Sequence, residues 1–411
     1  MKVAVLGLGR EGRSVLKYLK KSPDWHGAKI ETLDKKLGKS YLKNLERFDV
    51  IFRSPGVHYN LPELAKARRR GVEFLSATKL FFEKCKAKII GVTGTKGKGT
   101  TSTLLYNILK SAGKKVFLAG NIGKSALDIL PRARKNSIVI LELSSFQLQD
   151  LGRSPDIAVV LDVFPDHQDA HLNLKEYYEA KTNIAKWQKK DDKIFFFLGN
   201  PITKQIAQKS HGKRIPVNKR KFVMFGPEDL KIPGIHNFRN AVMAATVAKN
   251  LGVPEKKIIE EAKNFRGLEH RLEFAKKIGD VEFYNDSAST NPGTVAAAVS
   301  ALGNKPLILI AGGQDKNLDY LPLARAIKKS SVKLVVLMGE NKDKIARSIR
   351  KSGIPISKSG NLRAATNKAY NTAKKYGASI IFSPGAASFD MFKNYADRGE
   401  KFKKIVRRLQ K

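Results

Sequence analysis

Short runs of Val, Ile, Leu and Phe recur along the chain at strand length, each followed by a stretch with apolar residues at every third or fourth position. Runs without polar alternation read as strands buried on both faces, and the intervening stretches as the helices that cover them. The pattern therefore predicts mainly parallel sheets built from βα units. In the first unit strands are expected at 3–6, 30–33 and 49–52, with a helix from a glycine turn to about Lys20. A second series opens with a strand at 87–92 and a helix over 100–112. It continues with strands at 116–118, 138–141, 158–161 and 194–198 and helices at 237–250 and 255–264. From about Gly267 the pattern restarts, with strands at 281–284, 306–310, 334–337 and 379–382. These breaks divide the chain into three α/β units, 1–85, 86–266 and 267–411.

Composition narrows the class. A chain of 411 residues with 42% hydrophobic and 28% charged residues can bury several cores, which fits the three-unit division. Its longest apolar runs, such as Ile194 to Leu198, are far short of the ~20 residues a membrane span needs. The run after Met1 is too short for a signal peptide and passes directly into a glycine turn. Cys85, the sole cysteine, has no disulfide partner and no companion thiolate for a metal, so a reducing cytoplasm is the expected compartment.

The formal charge of +41 would by itself suggest nucleic acid or a membrane surface as a partner. Its distribution points elsewhere, because the lysines are dispersed in pairs such as Lys35-Lys36, Lys189-Lys190 and Lys328-Lys329 rather than gathered on one arm. A solvated basic surface suited to small anionic substrates is the reading, with no nucleic-acid partner.

The strongest local chemistry is Gly94-Thr95-Lys96-Gly97-Lys98-Gly99-Thr100-Thr101, between a predicted strand and a predicted helix. Glycines let backbone N–H groups face phosphate oxygens, and the helix N-terminus adds positive potential. Lys98 can bridge terminal phosphates and a threonine hydroxyl can hold Mg²⁺. Gly99 stands where a hydroxyl residue usually follows the lysine, so the hydroxyl role falls to Thr100, with Thr101 as substitute. A glycine turn with a solvated lysine would need three glycines and two threonines to coincide.

Two further signals are weaker. Gly7, Gly9 and Gly12 form a GxGxxG pattern with Asp34 about 20 residues on. That pattern suits an NAD site, a site for another nucleotide diphosphate, or a packing turn. Glu142, at the end of the 138–141 strand, suits Mg²⁺, while the serines after it suit a helix cap. His167, in Pro165-Asp166-His167, is a candidate second metal ligand, although a lone loop histidine is more often structural.

Taken in order, these segments resemble the Mur ligases over nearly the whole chain. Gly120-Asn121-Ile122-Gly123, Glu142 to Gln147, His236-Asn237 with Asn240, Glu269-His270-Arg271, Asn285-Asp286-Ser287, Gly312-Gly313 with Asp315-Lys316, and Ser383 to Asp390 complete the series. The resemblance is greatest to the members that add D-glutamate to UDP-N-acetylmuramoyl-L-alanine. It implies a Rossmann-like N-terminal domain, a central P-loop ATPase-like parallel sheet and a Rossmann-like C-terminal domain.

By position, the resemblance assigns Arg10, Glu11, Asp34, Lys35, Ser54, Pro55 and Gly56 to the UDP group, and Asn121, Ser144 and Gln147 to the muramoyl-alanine part. Asn237, Asn240, Arg271 and Asp286 would join the phosphate loop in holding ATP. Thr100, Glu142 and His167 would order two Mg²⁺ ions. Lys181 matches a lysine that the family carbamylates, where otherwise an exposed helix lysine would be the reading. Thr290, Lys316, Ser388, Phe389 and Tyr395 match positions around the incoming amino acid, although core packing would also explain Phe389 and Tyr395.

Ala288 departs from the family, standing where a lysine often follows Asp-Ser. The implied protein is a cytoplasmic, monomeric ligase of peptidoglycan synthesis that works through an acyl phosphate. Its rivals are a Mur or folylpolyglutamate-type ligase with another amino acid or acceptor, an NAD-dependent oxidoreductase, and a basic ATPase acting on nucleic acid.

Overall fold

The computed structural model describes residues 1–411 apart from Lys39, 167–170, Asn304, Asn317 and Lys411. Among the described residues the chain forms two compact units. One comprises 1–224 and 239–262, the other 225–238 and 263–411.

The first unit holds two sheets. In the N-terminal sheet β1 (Lys2–Leu6), β2 (Lys29–Leu33), β3 (Val50–Arg53) and β4 (Glu73–Leu75) lie in the order β2-β1-β3-β4, all parallel. Val3 to Leu6 are fully buried because β1 is central and covered on both faces. The helix Arg10–Leu19 follows, burying Gly12, Val15 and Leu19. A Cβ at position 12 would overlap the carbonyl oxygen of Gly7, so only glycine lets this helix approach the strand end so closely.

The second sheet has the order β10-β9-β8-β5-β7-β6. Its members are β5 (Lys88–Thr93), β6 (Val116–Gly120), β7 (Ile138–Glu142), β8 (Ile157–Val160), β9 (Lys193–Phe197) and β10 (Lys213–Val217), again all parallel. One hydrophobic cluster joins the two sheets. Val3, Val5 and Phe52 belong to it together with Leu80 and Phe81 of the helix Ala77–Lys84, Leu127, and Val139 and Leu141 of β7. Each such side chain withdrawn from water contributes about 1.5–3 kcal/mol, which holds the two sheets in one unit.

The other unit contains a sheet of order β11-β12-β16-β13-β14-β15. It is formed by β11 (Glu273–Ile278), β12 (Val281–Asn285), β13 (Leu307–Ala311), β14 (Val332–Leu337), β15 (Ile356–Lys358) and β16 (Ser379–Phe382). Separate apolar clusters cover its two faces, one with Phe283, Ile308 and Phe402, the other with Val295, Leu309 and Ile327.

The expected strands are all present, with ends moved by one or two residues. β4, β10, β11 and β15 were not expected, and each lies at the edge of its sheet. An edge strand has a neighbour on only one side and carries polar residues, as in Lys213-Arg214-Ile215-Pro216-Val217, so it lacks the continuous apolar run that betrays a central strand. β11 also departs from the parallel expectation, since it pairs antiparallel with β12 through a tight turn at Gly279. The helix after the phosphate loop begins at Lys98 rather than Thr100, which brings Lys98 and Gly99 into its first turn.

Candidate active site

β5 ends at Thr93, and the chain turns through Gly94 (φ +150°) and Gly97 (φ +85°) into the helix Lys98–Ser111. Lys98 folds back over this turn and donates to the carbonyl oxygens of Gly94 and Thr95, both at 3.1 Å. Thr95 ties the loop to its surroundings. Its N–H donates to the Asp162 carbonyl at 2.9 Å, and its hydroxyl lies 2.8 Å from the Tyr177 hydroxyl. Thr100 is half-buried in the first helical turn, while Thr101 is fully buried.

Lys181, on the helix Leu174–Thr182, is only 2% exposed and donates to the Gly94 carbonyl at 3.0 Å. Burial, reinforced by the nearby Lys98 charge, lowers its pKa to about 7. The exposed helix lysine considered from sequence is thereby overturned, because the residues around it place its amine under the phosphate loop.

Glu142 closes β7 with a buried carboxylate whose Oε1 accepts from Asn121 Nδ2 at 3.0 Å. Oxygen at a strand's carboxyl end beside a phosphate loop suits a hard cation such as Mg²⁺. His167 lies outside the described residues. Ser144 and Gln147 form a capping box on the helix Ser145–Leu148, with Ser144 Oγ accepting from Gln147 N at 3.3 Å and Gln147 Oε1 accepting from Ser144 N at 2.9 Å. Gln147 Nε2 also donates to Glu11 Oε1 at 2.6 Å, and burial raises the Glu11 pKa.

The carboxyl edge of the N-terminal sheet faces these residues within the same unit. Arg10 donates to the carbonyls of Gly120, Asn121 and Gly123 at 2.8–2.9 Å. Asp34 accepts from Leu8 N at 2.6 Å and from Lys36 N at 2.9 Å, bonds that lower its pKa. Ser54 Oγ donates to Gly7 O at 2.6 Å, so the Ser54-Pro55-Gly56 turn rests on the glycine pattern, with Lys35 exposed nearby in sequence to Asp34.

In the second unit Asp286 is buried, accepting from Ser383 Oγ at 2.6 Å and Leu272 N at 3.1 Å. Burial raises its pKa to about 6. His270 (φ +64°) and Leu272 (φ +42°) both occupy the left-handed region, at a cost of roughly 1–2 kcal/mol each, and leave Arg271 between them exposed. Ser388 is buried and Thr290 half-buried, while Lys316 is exposed. Phe389 is 65% and Tyr395 48% exposed, which rules out core packing for both. Asn237, at the start of the helix Ile235–Asn250, donates to Pro233 O at 2.7 Å.

Residues 92–223 match the Mur ligase middle domain, and residues 270–385 match the Mur ligase glutamate ligase domain. A protein named UDP-N-acetylmuramoylalanine–D-glutamate ligase in Acetivibrio thermocellus is 37% identical over all of this chain and 97% of its own length. The chain belongs to the Mur ligase family. It is a ligase. A second relative of the same name, from Clostridium tetani, is 35% identical over 99% of this chain and 97% of its own length. A solved UDP-N-acetylmuramate–alanine ligase from Thermotoga maritima shares the fold, with a TM-score of 0.59 at 17% identity over 99% of both chains.

Several residues of this Mur ligase were not singled out from sequence. Arg398 is fully buried and donates to Ser287 Oγ and to the carbonyls of Ser287, Ala386 and Ala387 at 2.9–3.1 Å. It thereby fixes the Gly385 to Ser388 turn. Lys403 donates to Glu269 at 2.9 Å, Glu273 at 3.1 Å and Glu400 at 2.6 Å. Glu269, His270 and Glu400 have the spacing of metal ligands, but the Lys403 ammonium bonds both carboxylates and offsets part of their charge. Asp162, just past the end of β8, could have been suspected from the rule that ligand sites gather at carboxyl ends of parallel strands.

Among the described residues no helix is long and apolar enough to cross a membrane.

Proposed function

We propose that this Mur ligase joins D-glutamate to UDP-N-acetylmuramoyl-L-alanine at the expense of ATP, in the cytoplasm, as a step of peptidoglycan precursor synthesis. Identity of 35–37% over the full chain with relatives of that name supports the acceptor and the amino acid. The structural observation that carries the reading is the convergence of Lys98 and Lys181 on the Gly94 carbonyl. Segments 1–85, 86–266 and 267–411 serve UDP, ATP and the amino acid respectively, and the enzyme works as a monomer without nucleic acid.

ATP lies on the loop from Gly94 to Thr101, and Lys98 exchanges its carbonyl partners for γ-phosphate oxygens. Asn237, Asn240, Arg271 and Asp286 hold the rest of the nucleotide. Arg10, Glu11, Asp34, Lys35 and the turn Ser54-Pro55-Gly56 take the UDP group, with Asn121, Ser144 and Gln147 along the muramoyl-alanine part. The substrate carboxylate attacks the γ-phosphorus and ADP leaves, giving an acyl phosphate. Positioning and charge compensation, rather than covalent help from the protein, govern this step. The amine of glutamate then adds to the acyl carbon, and the tetrahedral intermediate expels phosphate. Thr290, Lys316, Ser388, Phe389 and Tyr395 hold the amino acid, and the exposure of Phe389 and Tyr395 leaves both rings available to it.

Glu142, Thr100 and His167 would hold two Mg²⁺ ions, whose chemistry is to offset phosphate charge. The buried carboxylate of Glu142 fits that role. The lowered pKa of Lys181 supports its carbamylation. The neutral amine adds to CO₂ through a new N–C bond and loses a proton, leaving an anion beside the loop.

Phosphate release measured with UDP-N-acetylmuramoyl-L-alanine and either D- or L-glutamate tests the reading. Release with D-glutamate that disappears in Lys98→Ala is the expected result. Release with other amino acids only, or undiminished turnover by Lys98→Ala, would overturn it.

A further inference from the structure

Asp162 occupies a junction that the proposed mechanism leaves unused. Its carbonyl oxygen accepts from Thr95 N at 2.9 Å, so its backbone anchors the phosphate loop. Its carboxylate turns the other way and pairs with Arg239 on the helix Ile235–Asn250, with Arg239 Nη2 at 2.7 Å from Oδ1 and 2.6 Å from Oδ2. The guanidinium also lies over the ring of Phe197, the last residue of β9, at 4.4 Å from its centroid. The next helical residue, Asn240, is buried with its carboxamide against Gly97, so that a Cβ on Gly97 would overlap it.

Thr95, Asp162, Arg239, Asn240 and Gly97 thus form a closed circuit around the phosphate loop. One side of the circuit is the loop itself and the opposite side is the helix. The ion pair is the only charged link among these five residues.

We propose that Asp162 and Arg239 are a positioning pair, which sets how closely the helix carrying Asn240 approaches the phosphate loop and thereby sets the affinity for ATP. This rests on the assignment of ATP to that loop. The two side chains are 22% and 25% exposed, at the rim of the sheet rather than in its core. A pair so exposed contributes little to global stability, since exposed ion pairs give about 0–1 kcal/mol. Its effect is local. The pair joins two elements that contact one ligand, where a displacement of one ångström alters binding far more than folding.

ATP binding by calorimetry and steady-state kinetics, compared among the full-length wild type, Asp162→Asn, Arg239→Ala, the double variant and the exchanged pair Asp162→Arg with Arg239→Asp, test the proposal. Thermal unfolding of each protein provides the control for folding, and Arg239→Lys provides a milder substitution. Each single variant is expected to raise Kd and KM for ATP about tenfold while kcat stays within about threefold. The double variant should be no worse than either single one, and the exchanged pair should recover most of the affinity. Unchanged ATP affinity in the single variants, effects that multiply in the double variant, or affinity losses that follow the unfolding midpoints across the set would overturn the pair as a positioning device. A wild type that binds no ATP would instead overturn the assignment of the loop, and the proposal with it.

Discussion

Lys181 donates a 3.0 Å hydrogen bond from a buried amine to the carbonyl oxygen of Gly94, the same oxygen that accepts from Lys98 at 3.1 Å. Two cations sharing one acceptor favour the neutral form of whichever is more deeply buried, and that is Lys181. Its pKa of about 7 makes the amine largely neutral above pH 7 and largely charged below. Carbamylation should therefore rise between pH 6 and pH 8, measured as incorporation of isotopically labelled bicarbonate. Lys181→Ala should lose most activity and regain part of it with short carboxylic acids; full activity without them would exclude the carbamate.

Gly97 tests the contact between the phosphate loop and Asn240. At φ +85°, an alanine costs about 1–2 kcal/mol of backbone strain, and its Cβ must also displace the Asn240 carboxamide. Gly97→Ala should raise KM for ATP by tenfold or more. In an Asn240→Ala background Gly97→Ala should add only the backbone part of that penalty, so that KM for ATP rises less from Asn240→Ala to the double variant than from wild type to Gly97→Ala.

Asp286 should give the acidic limb of the pH profile. Its pKa of about 6 means that activity requiring the carboxylate falls as pH drops through that value. The bond from Ser383 Oγ favours the charged form, so Ser383→Ala should raise the pKa and move the limb to higher pH. The dependence of kcat/KM on pH measures the shift, and a limb that stays in place would assign it to another group.

Arg398 has a structural role in the second unit. Burial lowers its pKa to about 10, so it remains charged at neutral pH. Arg398→Ala would leave three buried carbonyls and the Ser287 hydroxyl without this donor, at a cost of about 3 kcal/mol or more. A drop of several degrees in the unfolding midpoint is expected, together with weaker binding of glutamate through the disturbed Gly385 to Ser388 turn. Arg398→Lys should recover little, because one ammonium cannot reproduce the guanidinium fork.

The chemistry that was legible in the sequence is local chemistry. A glycine-rich turn between a buried strand and a helix is a self-contained signal, and the structure turns through Gly94 and Gly97 at that place. Glu142 could be read for the same reason, as a carboxylate directly following an apolar strand. Edge strands such as β10 and β15 escaped because their half-exposed residues resemble loops.

By itself the sequence determined the central strands, the glycine-rich turn between β5 and its helix, and the family, since each is written in contiguous residues whose spacing reflects local backbone geometry. Only the tertiary structure decided that Lys181 is a buried amine of lowered pKa rather than one more surface lysine among the 78 basic residues of the chain. The same holds for the Asp162 and Arg239 pair, which are 77 positions apart. Burial and charge pairing depend on which distant segments pack together, and no local pattern of polar and apolar residues encodes that partner.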